Sequence, residues 1–523
     1  MFLNRKKRVK AALIASYGKT KTEGFNFELI KKYSLNKEHS NTFQLISDQT
    51  ANDLDLDLFF CFVDRTNSKI GQQYLYNKLR VLEKKDDLLS LKESIIQKFA
   101  NDPDERLKIQ SQLSKLNHQQ VYYLVDLFQK ELEEKPKWFF LVPMLSFTAV
   151  LSLILSFVNP NLLLVLLTVF SINVFIHYGL KRKTTLFVNS IPSLLSLGSI
   201  AEKISKHTFL KDFLPNKLKS LKVIGSIRKK MAFFKMEQKV DSELEAIYWY
   251  LLELIKITFL LEPLLMFSSI QTLKSKAKEI EEVYEFVGEV DVLLSIASLR
   301  KGLDSYCIPQ IKQDKSELSF SEIKHPLVAN CVENSFGFSQ SILLTGSNMS
   351  GKSTFMRSIG LNMLSGLTLN TCFAKEAIIP VVKLYTIMRI EDDLMLSSSY
   401  FLKEVSEMKA LLDETVENSN AIVLLDELFK GTNTKERIAA AKAVLSYLNQ
   451  LNVQVIVASH DIELTEMLRD EYALFHFSES FTDSSYFFDY QLKPGIPKRG
   501  NAIRILELNN FPAAIIQDAN KLM

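Results

Sequence analysis

The sequence predicts an α + α/β chain: a helical region interrupted by an apolar helical hairpin, followed by a C-terminal α/β domain. Three observations carry this. Apolar residues recur three and four apart through Gln72–Leu82 and Asp87–Lys98, the period of amphipathic helices. Between Trp138 and Leu180 there is no Asp, Glu, Lys or Arg. From Ile342 onward, short apolar runs alternate with helix-forming segments, and the first run ends in a glycine-rich loop. At 523 residues the length suggests roughly three domains. The divisions fall at 1–137, 138–180, 181–300 and 301–523.

Composition excludes little. Against 60 acids stand 64 basic residues, a net +4, so no whole-chain polyelectrolyte partner is implied. Cys61, Cys307, Cys331 and Cys372 lie far apart without metal-ligand spacing and read as reduced cytosolic thiols. Arg5-Lys6-Lys7-Arg8 is followed by too short an apolar stretch for a signal-peptide core.

Residues 1–49 are polar and mixed, and helices are expected from Asp64 to Lys98, with Asn101-Asp102-Pro103 as a stop. The uncharged stretch divides at Asn159-Pro160-Asn161 into Trp138–Val158 and Leu162–Leu180. Each half is long enough for a hydrocarbon layer of roughly 30 Å. Lys135 and Lys137 flank one end and Lys181-Arg182-Lys183 the other. The positive-inside rule then gives two spans in the cytoplasmic membrane with both chain termini cytoplasmic. The competing reading is a hairpin buried in a soluble core. Such a hairpin would rarely be uncharged on every face.

Lys181–Lys239 holds fourteen Lys and Arg against three acids. This stretch suits anionic lipid near the membrane and DNA phosphates farther away, with Arg228-Lys229-Lys230 and Lys235 as the distal cluster. Pro192, Pro215 and Gly225 are expected to break a straight arm. Ala246–Phe267 is apolar but carries Glu253, Lys256 and Glu262, and reads as a buried or interfacial helix. Gln271–Leu299 reads as a charged amphipathic helix.

The α/β part carries the chemistry. Gly346, four residues, then Gly351-Lys352-Ser353 follow an apolar strand and open a helix, the strand–loop–helix setting of a P-loop. Its glycines let backbone N–H groups face phosphates, Lys352 would reach the β- and γ-phosphates, and Ser353 would ligate Mg²⁺. After the strand Ala421–Leu425 come Asp426, placed for Mg²⁺, and Glu427, placed to polarise an attacking water. His460, after the strand Val453–Ser459, is placed toward the γ-phosphate. Tyr472–Phe477 and Tyr486–Leu492 read as a β-hairpin.

These residues resemble the MutS DNA mismatch-repair ATPases. Thr345-Gly346-Ser347-Asn348-Met349-Ser350-Gly351-Lys352-Ser353-Thr354 is similar to that family's P-loop, including Asn-Met. Leu425–Thr434 resembles its acidic strand end and the Gly-Thr-x-Thr loop that follows. Arg389–Phe401 resembles its signature segment, and His325-Pro326-Leu327 the opening of its ATPase domain. Asp64–Arg80 resembles the beginning of its lever helices and Gly288–Ala297 their end. The resemblance implies a helical lever/core domain and an ABC-type ATPase domain working as a homodimer on ATP and Mg²⁺. Ser399 would then sense the γ-phosphate across the dimer, and Phe336 would stack on adenine.

Departures are also visible. Phe25-Asn26-Phe27-Glu28 is not the family's Phe-x-Glu wedge, and too few residues precede the lever for a mismatch-reading domain. Tyr400 stands for a usual threonine and Ser350 for a glycine. The expectation is a membrane-anchored MutS-like ATPase that binds DNA, in a mismatch-repair-like role or on branched or damaged DNA. Its alternative is a membrane-tethered mechanical ATPase acting on protein partners. A transporter-type ATPase is disfavoured because one hairpin offers too little membrane for a path.

Overall fold

The structure is a computed structural model. It describes the chain except residues 1, 41, 85–87, 131–134, 211–216, 231–242, 314–316, 348, 390–399, 418–419, 452, 482–485, 497–505, 507, 510 and 523, and except the side chains of 2–6, 181–189, 217–218, 228–230, 243–249, 400, 479–481, 486 and 522. It forms two compact units. One holds residues 1–38, 65–77 and 88–298; the other holds 39–64, 78–87 and 299–523.

The first unit is helical. At its centre the buried carboxylate of Asp291, on the helix Ala277–Gly302, accepts four hydrogen bonds from Asn67 and Ser68. Ser68 Oγ in turn accepts the Gly71 N–H at 2.9 Å. Asp291 therefore satisfies donors that the start of the helix Lys69–Arg80 would otherwise leave unpaired. The two helix-end segments singled out from sequence meet here, and the glycines explain how. A Cβ on Gly71 would lie 2.2 Å from Asp291 Oδ2, and one on Gly288 would lie 2.7 Å from Tyr74 Cβ.

The apolar hairpin consists of Leu141–Leu155, after a short turn of helix Lys137–Phe140, and the 43-residue helix Leu162–Ile204. Lys137–Leu155 and Leu162–Leu180 are each 19 residues long, enough to cross a membrane by length and composition, and only 17% buried. Their apolar side chains point outward: Phe147, Phe157, Leu164 and Phe175 are exposed. Pro192 does not end the second helix, contrary to the sequence expectation. A mid-helix proline costs about 3 kcal/mol. Burial of Ile191, Leu194, Leu197, Ile200 and Ile204 around it, at roughly 1.5–3 kcal/mol each, outweighs that. The Ala246–Phe267 stretch, expected as one helix, is broken. Glu243–Thr258 ends, Leu260 takes a left-handed φ of 48°, and Leu261–Lys274 begins.

The second unit is built on a six-stranded sheet. Its order is Lys493–Pro494, Ala473–His476, Ile342–Thr345, Gln454–Ala458, Ala421–Asp426, Lys383–Ile387, parallel apart from the first strand. Strands buried on both faces read as unbroken apolar runs, as Ile342-Leu343-Leu344 and Ala421–Leu425 do. Ala473–His476 lies beside Ile342–Thr345; the C-terminal hairpin is instead Glu479–Phe481 with Tyr486–Phe488. A smaller four-stranded sheet orders Gln310–Lys312, Glu376–Pro380, Leu318–Ile323 and Asn334–Phe338.

This unit also takes in 39–64 and 78–87, which the sequence reading assigns to the helical part. The Gln44 amide pairs with both backbone groups of Leu384 at 2.7 Å. Buried Asp53 accepts Thr386 Oγ1 and the backbone N–H groups of Met388 and Arg389. The early segment thus splints the outer edge of the main sheet.

Candidate active site

The site lies at the carboxyl ends of the parallel strands, the crevice where open α/β sheets bind ligands. Between the strand Ile342–Thr345 and the helix Lys352–Leu369 the loop turns on Gly346 at φ 137° and Gly351 at φ 101°, a region side chains rarely tolerate. A Cβ on Gly346 would sit 2.6 Å from Phe477 O, and one on Gly351 would meet the Tyr490 ring at 3.1 Å. Lys352 reaches back over the loop and donates to Gly346 O at 2.7 Å and Ser347 O at 2.9 Å. Ser350 Oγ donates to Ser347 O at 2.7 Å, so the serine standing for a glycine braces the loop from within.

The acidic pair closes the other side. Ser353 Oγ donates to Asp426 Oδ2 at 2.5 Å. Burial raises the Asp426 pKa, with the Ser353 hydrogen bond opposing and the neighbouring Glu427 charge adding to the rise. Glu427 has a left-handed φ of 54°, and its N–H donates to Ala458 O at 2.9 Å. Burial works against its charge, yet the Lys430 hydrogen bond and the charges of Lys430, His460 and Lys352 hold it below the usual carboxylate range. His460 Nδ1 is 3.6 Å from Glu427 Oε1, on an exposed ring. Beside it, Asp461 accepts two hydrogen bonds from Arg437, at 2.6 and 3.0 Å.

A cavity of about 440 Å³ opens next to the loop. Met349, Gly351, Ser353 and Thr354 line it with Val328, Asn334 and Tyr490 among others. Asn334 fixes the Tyr490 segment, donating to Tyr490 O at 3.0 Å and accepting from Leu492 N–H at 2.7 Å. The donor set fits a nucleotide with Mg²⁺ on three counts. Two glycines stand where a Cβ would clash or strain the backbone, a hydroxyl and a carboxylate converge, and the buried Ser347 Oγ has no hydrogen-bond partner among the described residues.

The structure thus gathers Gly346, Ser347, Met349, Ser350, Gly351, Lys352, Ser353, Thr354, Asp426, Glu427 and His460 around one loop. Asn348 and Ser399 lie outside the described residues. Phe336 is not brought to the cavity. It stacks on Phe338, with ring centroids 4.3 Å apart, and meets Phe355 edge-on in the core beneath. Asn334, Tyr490 and Glu404 escaped the sequence reading. Glu404 is buried and accepts the backbone N–H groups of Phe429 and Lys430 just past the acidic pair. A single glutamate in an amphipathic helix carries no signal of that role.

Residues 342–523 match the protein-family model described as MutS domain V. Curated relatives agree. The chain is 32% identical over 265 residues to the DNA mismatch repair protein MutS of Pseudothermotoga lettingae, covering 48% of this chain and 32% of the relative. It is 33% identical over 258 residues to that of Petrotoga mobilis, covering 47% and 31%. With that of Aquifex pyrophilus it shares 30% over 262 residues, covering 47% and 30%. The chain thus spans about a third of the length of these relatives. Through this C-terminal half, which carries the glycine loop and the acidic pair, the chain is similar to the MutS mismatch repair proteins, and residues 342–523 match their domain V.

Proposed function

We propose that this protein is a membrane-anchored MutS-type ATPase that binds and hydrolyses ATP as a homodimer and grips DNA. The convergence of Lys352, Ser353, Asp426, Glu427 and His460 at the ends of adjacent strands carries the reading. Lys352 and the loop N–H groups would hold the phosphates, with Ser353 and Asp426 holding Mg²⁺. Bound Mg²⁺ would screen the phosphate charge. Glu427, kept ionised by Lys430, would orient and polarise the attacking water, with His460 at its flank. Ser399 would complete the site of the second copy.

The two outward-facing apolar helices support the anchor. DNA is supported by the names of the relatives and by the basic run 181–239. In the full chain, Lys352→Ala should abolish nucleotide binding, while Glu427→Gln should bind ATP, stall turnover and accumulate as a dimer. Wild-type turnover by Glu427→Gln would refute the assignment of the water-polarising carboxylate. DNA affinity should fall steeply with salt as phosphate contacts release counterions. Replacing Arg228, Lys229 and Lys230 with Ala should flatten that slope. An unchanged slope would favour the mechanical reading, in which the partners are proteins.

A further inference from the structure

We propose that His177, Glu253 and Glu262 hold one divalent transition-metal cation of the zinc or manganese class. The three residues come from three helices: Leu162–Ile204, Glu243–Thr258 and Leu261–Lys274. His177 Nε2 lies 3.6 Å from Glu253 Oε1 and 3.6 Å from Glu262 Oε2, and one ligand atom from each residue lies within 4.8 Å of the others. Ligands about 2.1 Å from a tetrahedral metal ion stand about 3.4 Å apart, so both His177 pairs already stand near the spacing that one ion sets. His177 is 0% and Glu262 4% exposed, and the Glu253 side chain is 12% exposed.

Charge favours a cation here. Among the described residues, two carboxylates share this apolar helix junction with the Lys256 ammonium, whose Nζ is 3.5 Å from Glu253 Oε2. Burying ionised carboxylates costs several kcal/mol unless opposite charge compensates. One imidazole with two carboxylate oxygens selects borderline first-row ions; Mg²⁺ and Ca²⁺ prefer oxygen alone.

The surrounding backbone is built to keep this junction in place. The chain breaks at Leu260 between the helices bearing Glu253 and Glu262. The carbonyls freed there are taken up from the hairpin. Asn173 Nδ2 donates to Thr258 O at 2.7 Å, and Ser146 Oγ donates to Phe259 O at 2.7 Å. Outside, Tyr250, Leu251, Leu254 and Ile255 form an exposed apolar face that leaves the polar groups inward. A broken helix whose freed backbone carbonyls are satisfied inside a helix bundle is how apolar surroundings tolerate irregular chain.

The test uses the tag-free full chain in detergent, stripped with chelator and dialysed against Zn²⁺, Mn²⁺, Co²⁺ or Ca²⁺ in excess Mg²⁺. One equivalent of Zn²⁺ or Mn²⁺ per chain is expected. At least tenfold weaker binding is expected in His177→Gln and Glu262→Gln, both near-isosteric, with nucleotide binding retained as the check on folding. Lys256→Ala should still bind the ion. The Co²⁺ form should lack a thiolate charge-transfer band, which separates this site from the four cysteines. Failure of the folded wild-type chain to bind, undiminished binding in the Gln variants, equal binding of Ca²⁺, or a thiolate band would each overturn the site.

Discussion

Glu404 reaches from the helix Tyr400–Glu417 to accept the backbone N–H of Phe429, two residues past Glu427. The same carboxylate takes the Lys430 N–H at 3.3 Å, and Lys430 in turn pairs with Glu427 at 2.9 Å. Gly431 lies against the start of that helix, where a Cβ would come 2.8 Å from Phe401 Cβ. The loop after the acidic pair is therefore fixed to the helix that follows the segment bearing Ser399. Glu404 thus holds the backbone from which Lys430 reaches Glu427.

Glu404→Ala would remove charge-assisted hydrogen bonds worth roughly 1.5–3 kcal/mol. Turnover should fall about tenfold or more, while the KM for ATP shifts less than threefold, because the phosphate loop is untouched. Glu404→Gln, which keeps an acceptor, should recover part of the loss. Steady-state kinetics decide this. A change confined to KM would assign Glu404 to nucleotide binding instead.

His325 supplies a pH dependence. It is buried near Arg357, and its Nδ1 accepts the Leu327 N–H at 3.2 Å. Burial first, then the Arg357 charge, pulls its pKa down to about 4, with Asp55 opposing. The native state therefore binds fewer protons than the unfolded chain between these values. Stability from this group is present above about pH 6.5 and is lost as pH falls toward 4. His325→Asn keeps an acceptor but cannot titrate. Urea midpoints compared across that window should drop less in the variant than in the wild type. Equal drops would remove His325 as the cause.

How far the sequence discloses this molecule depends on how local each cause is. The glycine loop is legible because Gly346 and Gly351 take positive φ within a few residues of Lys352. Asp426 and Glu427 are legible because a buried strand runs straight into them. The splint of the main sheet is not, since Gln44 and Asp53 find partners more than 300 residues away. Nor is Tyr490, which reaches the loop only by folding over Gly351. The placing of Phe336 follows from pattern too. In Phe336-Gly337-Phe338 the alternation of a strand sends both rings to one face, and that face is the core.

Gly71 gives a stability prediction for the helical unit. Gly71→Ala would place a methyl 2.2 Å from Asp291 Oδ2, in contact with a carboxylate already holding four hydrogen bonds. Burial raises the Asp291 pKa, and the bonds from Ser68 and Asn67 oppose that rise, so displacing them leaves a buried acid poorly compensated. Overpacking and lost capping together should cost about 3 kcal/mol. Denaturant unfolding followed by tyrosine fluorescence measures it. A loss below about 0.5 kcal/mol would mean that the helix start shifts freely, and that Asp291 does not hold it.

The hairpin has the most direct test. Its two 19-residue segments span about 28 Å as helix, close to a hydrocarbon layer of roughly 30 Å. Phe157 and Val158 are 89% and 84% exposed beside the Asn159-Pro160-Asn161 turn. A soluble fold would rarely leave so contiguous an apolar surface in water, whereas a membrane covers it. With Lys135 and Lys137 before the first segment and Lys181-Arg182-Lys183 after the second, the turn is expected on the outer face. In intact cells, a cysteine at Asn159 or Asn161 should react with an impermeant thiol reagent, and one at Lys137 or Lys183 should not. The native Cys61, Cys307, Cys331 and Cys372 lie in the cytoplasmic parts of this topology, so their labelling should appear only after lysis. Should Asn159 and Asn161 also label only after lysis, with the protein recovered in the soluble fraction, the exposed faces would belong to a protein interface and not to lipid.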